Sequence, residues 1–472
     1  MLFSSMCYIF DRQEMLGLKG HGAFRCCVKC INVVNRRWWR AGLHGCVDHS
    51  STDVAQFQQH TRESWKRVIR RLRACAARLP DSEKELEELE IVHGVNYVAE
   101  GVLFWPGFSF TPLEILNDWF HTYLEGGLLD SELGLLMHKL RRRAPRGMQL
   151  GWRQLGEYVQ LWSWPMHLDG AAASCKRLFD TSSVEKYDKS QHFVCGASEL
   201  LSLLPVFRLY FERIVLPTGV CQPAVTCMLL LIKAMDVITR TRSRHSPVTE
   251  ADLMAAILAH LEAKHAAYGP DSFKYKDHVA LHLPSQYAQY KRLSPCFVQE
   301  RHHREAKAAG AVRRNTASYE RGIIEDITIG QLITTESFHF GEPGLVKATP
   351  AKAKVLNLLR DMVSFGPDDS VLASVKYTTG LTTISCGDVA IWHDDVVHQL
   401  KFGKVLLHFL AADTCMTLLR PLQEQRREQT LVRCAMEDHA TLVHSSKLIR
   451  AAIFAESEAS GDVVLRPDEL SA

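Results

Sequence analysis

The chain has 472 residues, of which 46% are hydrophobic and 23% are charged, and its formal net charge is +3. This composition excludes a disordered or fibrous chain, and the near-neutral charge means that any affinity for nucleic acid must come from local basic patches. At about 150 residues per domain, the length predicts about three structural units.

The 14 cysteines are mostly scattered as single residues, which is unlike the disulfide framework of a small secreted domain. No basic-then-apolar signal peptide opens the sequence, so we expect an intracellular protein, nuclear or cytoplasmic. The most apolar run, residues 224–232, is too short for the roughly 20 residues of a membrane span. It predicts a buried helix and no membrane association.

Hydrophobic periodicity predicts a short strand that ends at Asp11, then a largely helical middle, then a small β unit. The β unit begins near residue 370, where Val, Thr and Ile dominate short runs separated by glycine. A helical segment, 417–456, and a loose polar end are predicted to follow it. The predicted helices of the middle cover residues 53–79 with Asp53 as cap, 81–91, two helices within 112–140 separated by Gly126 and Gly127, 197–216 and 249–269.

A pair of short motifs predicts a zinc site. Cys27-x2-Cys30 is followed, 15 residues later, by Cys46-x2-His49, and two such turns suit the tetrahedral geometry of a structural zinc ion. Cys26, His21 and His44 are rival ligands, and reduced structural thiols without metal are the alternative.

Two acidic positions in the first third of the chain are candidate metal ligands. Asp11 ends the predicted strand, where a carboxylate either holds Mg²⁺ or caps a turn. Asp118 and His121 are three residues apart, so they share one helix face. This pair either ligates metal or consists of a core histidine oriented by the carboxylate.

Two cationic stretches are candidate DNA contacts. Residues 273–287 read as a strand whose Lys274 and Lys276 lie along a phosphate backbone, or as a solvated edge strand. Residues 295–326 read as a helix in which Glu300 stands among cations, either as a metal ligand or as an ion pair with Arg304. The candidate phosphate contacts of that helix and its C-terminal end are Arg301, Arg304, Lys307, Arg313 and Arg314.

The order of these motifs resembles the transposases of the CACTA (En/Spm) type and their Plavaka-like relatives. The resemblance spans about residues 8–330 and includes the aspartate at a strand end, the glycine-rich "GLKGHGAFRCC", "DWFH", "HVALHLP" and "ERHHREAK" followed by "RRN". It implies a ribonuclease H-like core interrupted by a large helical insertion, in which an Asp-Asp-Glu/Asp set holds two Mg²⁺ or Mn²⁺ ions for DNA strand cutting and transfer. Asp11 matches the second acid, Glu300 the last acid, and Asp118 with His121 the D-x-x-H motif.

The family's first acid lies on an earlier strand, whereas the ten residues before Asp11 contain no acidic residue. We therefore expect a truncated, catalytically inactive transposase-derived protein that associates with DNA. An active DNA transposase or nuclease and a non-enzymatic, zinc-containing DNA-binding or scaffold protein are the alternatives, and the oligomeric state stays open.

The expected fold is α+β: an α/β remnant of the ribonuclease H-like core, a large α-helical insertion and a small C-terminal antiparallel β unit. The predicted parts are residues 1–52 (partial core with zinc knuckle), 53–270 (helical insertion), 271–345 (return to the core with the Glu-bearing basic helix), 346–422 (β domain) and 423–472 (helical and polar tail).

Overall fold

The computed structural model describes most of the chain, with gaps. The described residues are 16–39, 44–105, 111–165, 177–241, 248–293, 325, 328–329, 342–360, 362–363, 370–380, 382–394, 399–427, 432–456 and 463–465.

The chain forms two compact units that interleave along the sequence. The first, called the helical unit, lies within Met1–Met148, Tyr187–Ala197 and Val215–Ala311, and the second, called the sheet unit, lies within Gln149–Lys186, Ser198–Ile214 and Val312–Ala472. The five consecutive parts expected from the sequence follow different boundaries.

Twelve α-helices lie in the described part of the chain. In chain order they are α1 (Arg62–Ala76), α2 (Glu83–His93), α3 (Trp119–Tyr123), α4 (Leu128–Arg143), α5 (Trp152–Gln160), α6 (Thr181–Ser190), α7 (Ala197–Tyr210), α8 (Gln222–Arg240), α9 (Glu250–Tyr268), α10 (Tyr275–Ala280), α11 (Leu283–Tyr290) and α12 (Ala353–Arg360).

Fifteen strands lie in the described residues. They are β1 (Val33–Val34), β2 (Val47–Asp48), β3 (Gly344–Leu345), β4 (Thr349–Pro350), β5 (Leu372–Ser374), β6 (Lys376–Thr378), β7 (Thr383–Ser385), β8 (Val389–Asp394), β9 (Gln399–Ala411), β10 (Thr414–Arg427), β11 (Val432–Met436), β12 (Thr441–His444), β13 (Leu448–Ala452), β14 (Phe454–Glu456) and β15 (Val463–Leu465).

Local sequence explains where the first helices begin and end. The side chain of Asp53 caps only the single 3-10 turn Val54–Gln56, and α1 starts after Thr61, which forms a reciprocal capping box with Ser64. The predicted helix over 53–79 therefore begins later than expected. The other predicted helices of the middle are confirmed, including the break at Gly126 and Gly127 between α3 and α4.

A buried helical pair forms the centre of the helical unit. Helix α8 packs against α9, and ten residues of α8 are buried. By length and composition α8 is apolar enough to cross a membrane, but 56% of its most apolar window is buried inside the protein, which is typical of a core helix.

Two helices, α10 and α11, occupy most of residues 273–287, so the predicted strand is wrong there. Gly269 ends α9, α10 follows at Tyr275, and α11 begins after His282 with Pro284 in its first turn. The Asp277 carboxylate accepts a hydrogen bond from the Lys274 amide (2.7 Å), which stabilises the first turn of α10.

Antiparallel strands dominate the sheet unit. A ten-stranded sheet has the order β13-β8-β9-β10-β11-β15-β14, with β12 paired to β10 and β5 paired to both β4 and β9, while β3, β6 and β7 form a separate sheet. Strands β9 and β10 are long enough to pair with different neighbours at their two ends. The predicted β unit is therefore confirmed and extends further than expected.

The predicted helical tail is wrong, because residues 414–427, 432–436, 441–444, 448–452 and 454–456 are strands. Strand β10 pairs with β9 through a two-residue turn, Ala412–Asp413, in which both residues have positive φ (45° and 60°). This geometry is that of a tight hairpin turn. Cross-strand pairing thus overrides the helix-favouring Leu, Gln, Glu and Arg of β10.

The described chain is an α+β protein, as the sequence predicted. The strand expected to end at Asp11 and the helix expected to carry Glu300 lie outside the described residues. The ribonuclease H-like arrangement therefore stays a prediction.

Candidate metal centre and adjoining cavity

Four buried side chains converge in the helical unit. Cys27, Cys30, His278 and His282 place one ligand atom each within 4.8 Å of all the others. The measured separations are 3.3 Å from Cys27 Sγ to His282 Nε2, 3.6 Å from Cys30 Sγ to His278 Nε2, 3.5 Å from Cys30 Sγ to His282 Nε2 and 3.1 Å between the two Nε2 atoms.

These separations match a tetrahedral zinc site. Zinc bonded at about 2.3 Å to sulfur and about 2.0–2.1 Å to imidazole nitrogen sets S···N separations of about 3.5 Å and an N···N separation of about 3.4 Å. Each observed distance lies close to these values. The cluster is therefore a candidate zinc site with two sulfur and two nitrogen ligands, a closed set of the kind that holds structural ions.

The charge states of Cys27 and His282 suit metal binding, whereas that of Cys30 does not. Burial would raise the pKa of Cys27, but the hydrogen bond with Cys30 and the neighbouring His282 and His278 hold that pKa well below its usual value. Hydrogen bonding to Cys27, together with burial, raises the pKa of Cys30. Burial lowers the pKa of His282. A thiolate and a neutral imidazole are the forms that coordinate zinc.

Hydrogen bonds with residues just before and within α1 fix the segment that carries the cysteine pair. The Ile31 amide donates to the Gln58 carbonyl (2.7 Å), and the indole of Trp65, at the start of α1, donates to the Val28 carbonyl (3.0 Å). Phe57 packs edge-on against the His278 ring at a centroid distance of 4.9 Å. The loop before α1 and the first turn of α1 therefore hold both halves of the centre.

The structure does not bring Cys46 and His49 into the cluster. His49 Nδ1 instead accepts a hydrogen bond from the Arg36 amide (2.8 Å), and Cys46 belongs to no group of metal-binding side chains among the described residues. The predicted set is thus corrected to Cys27 and Cys30 with two histidines from α10 and the start of α11. The i,i+4 spacing of His278 and His282 is a common zinc-ligand spacing, and it was missed because the stretch was read as a strand.

A buried ionic network supports the histidine half of the centre. The Lys264 ammonium lies 2.7 and 2.9 Å from the two Asp277 oxygens and 3.1 Å from Glu132 Oε1, and all three side chains are at most 1% exposed. His260 Nε2 is 3.0 Å from both Glu132 oxygens. Glu132, Cys227 and His260 are close enough to share a metal, but the lysine already supplies a cation to Glu132. Burial would raise the pKa of Glu132, and the neighbouring His260 and Lys264 lower it to about 2.

Beside the metal centre lies a cavity of about 980 Å³, which we call the cationic cavity. Its wall combines cationic, aromatic and histidine side chains with two acids. The lining residues are His21, Asn35, Arg36, Arg37, Trp39, His49, His121, Glu125, Gly126, Asp271, Phe273, Lys274, Tyr275 and Lys276.

The cations of this wall are held in place by neighbours. Arg36 is paired with Asp48 (2.5 Å) and Asp271 (2.7 Å). Lys276 donates to the carbonyls of Glu125 (3.0 Å) and Gly126 (2.8 Å), and burial lowers its pKa to about 8. These contacts give the wall a fixed arrangement of positive charge.

Lys274 lies on the same wall. Its ammonium donates to the Ser131 hydroxyl (3.0 Å) and lies 3.2 Å from His192 Nε2. Burial, then the nearby Lys264, lowers its pKa. The sequence singled out Lys274 and Lys276, and the structure places both on the wall of one cavity.

Asp118 and His121 meet at the edge of this cavity. The Asp118 carboxylate caps α3 by accepting from the amides of Phe120 (3.0 Å) and His121 (3.2 Å), and Oδ2 lies 2.5 Å from His121 Nδ1. The carboxylate is therefore engaged by three donors, which favours the interpretation that it orients His121 over the one that it ligates a metal.

The other predicted site residues lie outside the described part of the chain. They are Asp11, Glu300, Arg301, Arg304, Lys307, Arg313 and Arg314. The Asp-Glu metal pair and the basic helix stay predictions.

Comparison with known proteins gives no assignment: no family model matches the chain, and neither a curated protein nor a solved structure matches it.

Proposed function

We propose that this protein is a zinc-containing, DNA-associated protein derived from a CACTA-type transposase, and that its cationic cavity binds an unpaired stretch of a DNA strand. The ancestry rests on the order of motifs between residues 8 and 330. The binding role rests on one geometric observation, namely that the candidate metal centre joins the two segments that supply the cations of the cavity. Such a protein would act in the nucleus or the cytoplasm.

The first segment runs from Cys30 through β1 to Arg36 and Arg37, and the second runs from Lys274 and Lys276 into His278. A zinc ion on the four ligands would tie both segments together a few residues from their cations. A structural zinc ion contributes folding free energy directly, so it would keep the wall of the cavity in one arrangement.

The chemistry of the wall suits a single strand. Arg36, Arg37, Lys274 and Lys276 outnumber the two acids, Glu125 and Asp271. Cations contact phosphates, and aromatic side chains such as those of Trp39 and Tyr275 stack on unpaired bases. A cavity of about 980 Å³ admits a few nucleotides, whereas a duplex is too wide for it.

Metal content tests the zinc assignment. Purified wild-type protein should contain about one zinc per chain by elemental mass spectrometry, and Cys30→Ser and His282→Ala should lose most of it because each removes one of four ligands. Cys46→Ser is the matched control and should retain zinc. Equal zinc content in Cys30→Ser and wild type would remove the assignment.

Salt-dependent binding tests the cavity. The affinity of labelled single-stranded DNA is measured by fluorescence anisotropy over a range of salt concentrations, for wild type and for the double variant Arg37→Ala/Lys274→Ala. Each lost phosphate contact should reduce the slope of log K against log salt by about 0.7, so the double variant should lose about 1.4. Arg153→Ala, an exposed arginine of α5 paired with Glu157, is the control. A slope that is the same in all three proteins would refute the proposal.

A further inference from the structure

Cys27 and Cys30 also line a second, smaller cavity. Its volume is about 290 Å³, and the described residues that line it include no carboxylate. We call it the arginine pocket. Three arginines, two histidines and the two cysteines of the candidate metal centre lie on its wall: Arg25, Arg67, Arg71, His60, His93, Cys27 and Cys30.

Three segments build the pocket. Helix α1 contributes Arg67 and Arg71, which are four residues apart and so lie on one face. Helix α2 contributes its last residue, His93, and Gly94 then ends the helix with φ +69°. A Cβ at Gly94 would lie 2.5 Å from the Arg25 carbonyl oxygen, so glycine is what lets the end of α2 approach the segment that carries Arg25.

Two polar side-chain atoms of this pocket lack partners. Arg25 Nη1 and His93 Nε2 are buried and have no hydrogen-bond partner. Burial, with the nearby Arg71 and Arg25, lowers the pKa of His93. A buried donor left without an acceptor costs free energy, and such groups in a cationic cavity indicate an anionic ligand.

Three other arginines of α1 have partners outside the pocket. Arg70 lies 3.9 Å from Glu63, Arg62 pairs with Glu114 at 2.5 Å, and Arg73 donates to the Phe104 carbonyl. No described carboxylate forms an ion pair with Arg67 or Arg71. Arg67 and Arg71, which line the pocket, thus have no ion-pair partner among the described residues.

We propose that the arginine pocket is a binding site for one phosphate group. Guanidinium groups present planar pairs of N–H donors that match the oxygens of a phosphate, and Arg25, Arg67 and Arg71 all line this cavity. A zinc ion on Cys27 and Cys30 would neutralise the charge of both thiolates, so these two lining residues would not repel the anion. The site is separate from the cationic cavity and does not depend on the function proposed for that cavity.

Three probes distinguish the source of the phosphate. Inorganic phosphate is titrated by calorimetry, and a short DNA strand with a 5′-phosphate and the same strand with a 5′-hydroxyl are titrated by fluorescence anisotropy. The proteins are wild type, Arg71→Ala and Arg67→Ala, with Arg70→Ala as the matched control, because Arg70 is adjacent in sequence and does not line the pocket. All three arginines are exposed, so each variant should fold, and its thermal unfolding midpoint checks this.

We expect Arg71→Ala and Arg67→Ala to weaken the binding of at least one probe by about tenfold, and Arg70→Ala by less than about twofold. A loss confined to inorganic phosphate identifies a free phosphate or small phosphate ester as the ligand. A loss confined to the 5′-phosphorylated strand identifies a strand end, and an equal loss for both strands identifies a backbone phosphate.

A loss in Arg71→Ala no greater than in Arg70→Ala, for every probe, overturns the proposal, as does the absence of binding of all three probes to wild type. Phosphate binding that depends on Arg71 in a protein that binds neither strand would keep this site and refute the proposed DNA-binding function.

Discussion

Replacing Lys264 by methionine should test the buried ionic network most directly. Methionine retains much of the length of the side chain but removes the ammonium that lies 2.7–2.9 Å from Asp277 and 3.1 Å from Glu132. Asp277 and Glu132 are fully buried, so both carboxylates would lose the Lys264 ammonium without gaining contact with water. Asp277 also caps α10, which carries His278, so the candidate metal centre is affected too.

Breaking a buried ion pair by removing one partner costs about 3–5 kcal/mol. We therefore expect Lys264→Met to lower the free energy of unfolding by about that amount, measured from urea denaturation followed by tryptophan fluorescence. Lys66→Met is the control, because Lys66 forms an exposed ion pair with Glu63 that is worth less than about 1 kcal/mol. Adding Glu132→Gln to Lys264→Met should recover part of the loss, since it removes one of the two buried carboxylates that no longer face the ammonium. If Lys264→Met were within about 1 kcal/mol of wild type, the network would not stabilise the fold as described.

Three further outcomes are expected. Burial raises the pKa of Asp130 to about 7. The stability that its neutral form gives the fold is therefore fully present below about pH 4 and is lost as the pH rises through about 7. Between pH 4 and pH 8 the free energy of unfolding of Asp130→Asn should rise by on the order of 2–4 kcal/mol relative to that of wild type, and parallel pH profiles would contradict this. Gly134→Ala should lower the free energy of unfolding by about 1–3 kcal/mol, because its Cβ would lie 2.0 Å from the Gln191 carbonyl oxygen. Gly22→Ala is the control and should have little effect on the free energy of unfolding, since a Cβ there would have nothing within 4 Å. A strong zinc chelator should lower the unfolding midpoint of wild type and leave that of Cys30→Ser unchanged, since only a protein that binds zinc gains stability from it; the same shift in both proteins would point to another cause.

The helices of the middle of the chain were predictable because their signals are local. The glycines at 126 and 127 separate two helices, and the apolar run at 224–232 lies in a buried helix, as its composition indicates. Strand β10 was not predictable in this way. Its pairing with β9 depends on the turn at Ala412–Asp413, which lacks the Asn-Gly or Asp-Gly pair that identifies most tight hairpins.

Half of the candidate metal centre could be found from the sequence and half could not. The spacing of Cys27 and Cys30 is a local signal for paired zinc ligands. Their partners were sought nearby, in Cys46 and His49, whereas the structure supplies His278 and His282 from the far end of the helical unit. The four-residue spacing of these histidines indicates a pair of zinc ligands only if the stretch is recognised as helical.

The cysteines and histidines of the candidate metal centre are 248 residues apart in the chain, from Cys30 to His278. At about 5–20 residues per second, a ribosome needs about 10–50 s to make the intervening polypeptide. Throughout that interval Cys27 and Cys30 of the nascent chain lack His278 and His282 as partners. An oxidant could then join the two thiols as a disulfide, which would prevent zinc binding. Production of the protein in a reducing cytosol with zinc in the medium should therefore give a larger fraction of correctly assembled molecules than oxidative refolding.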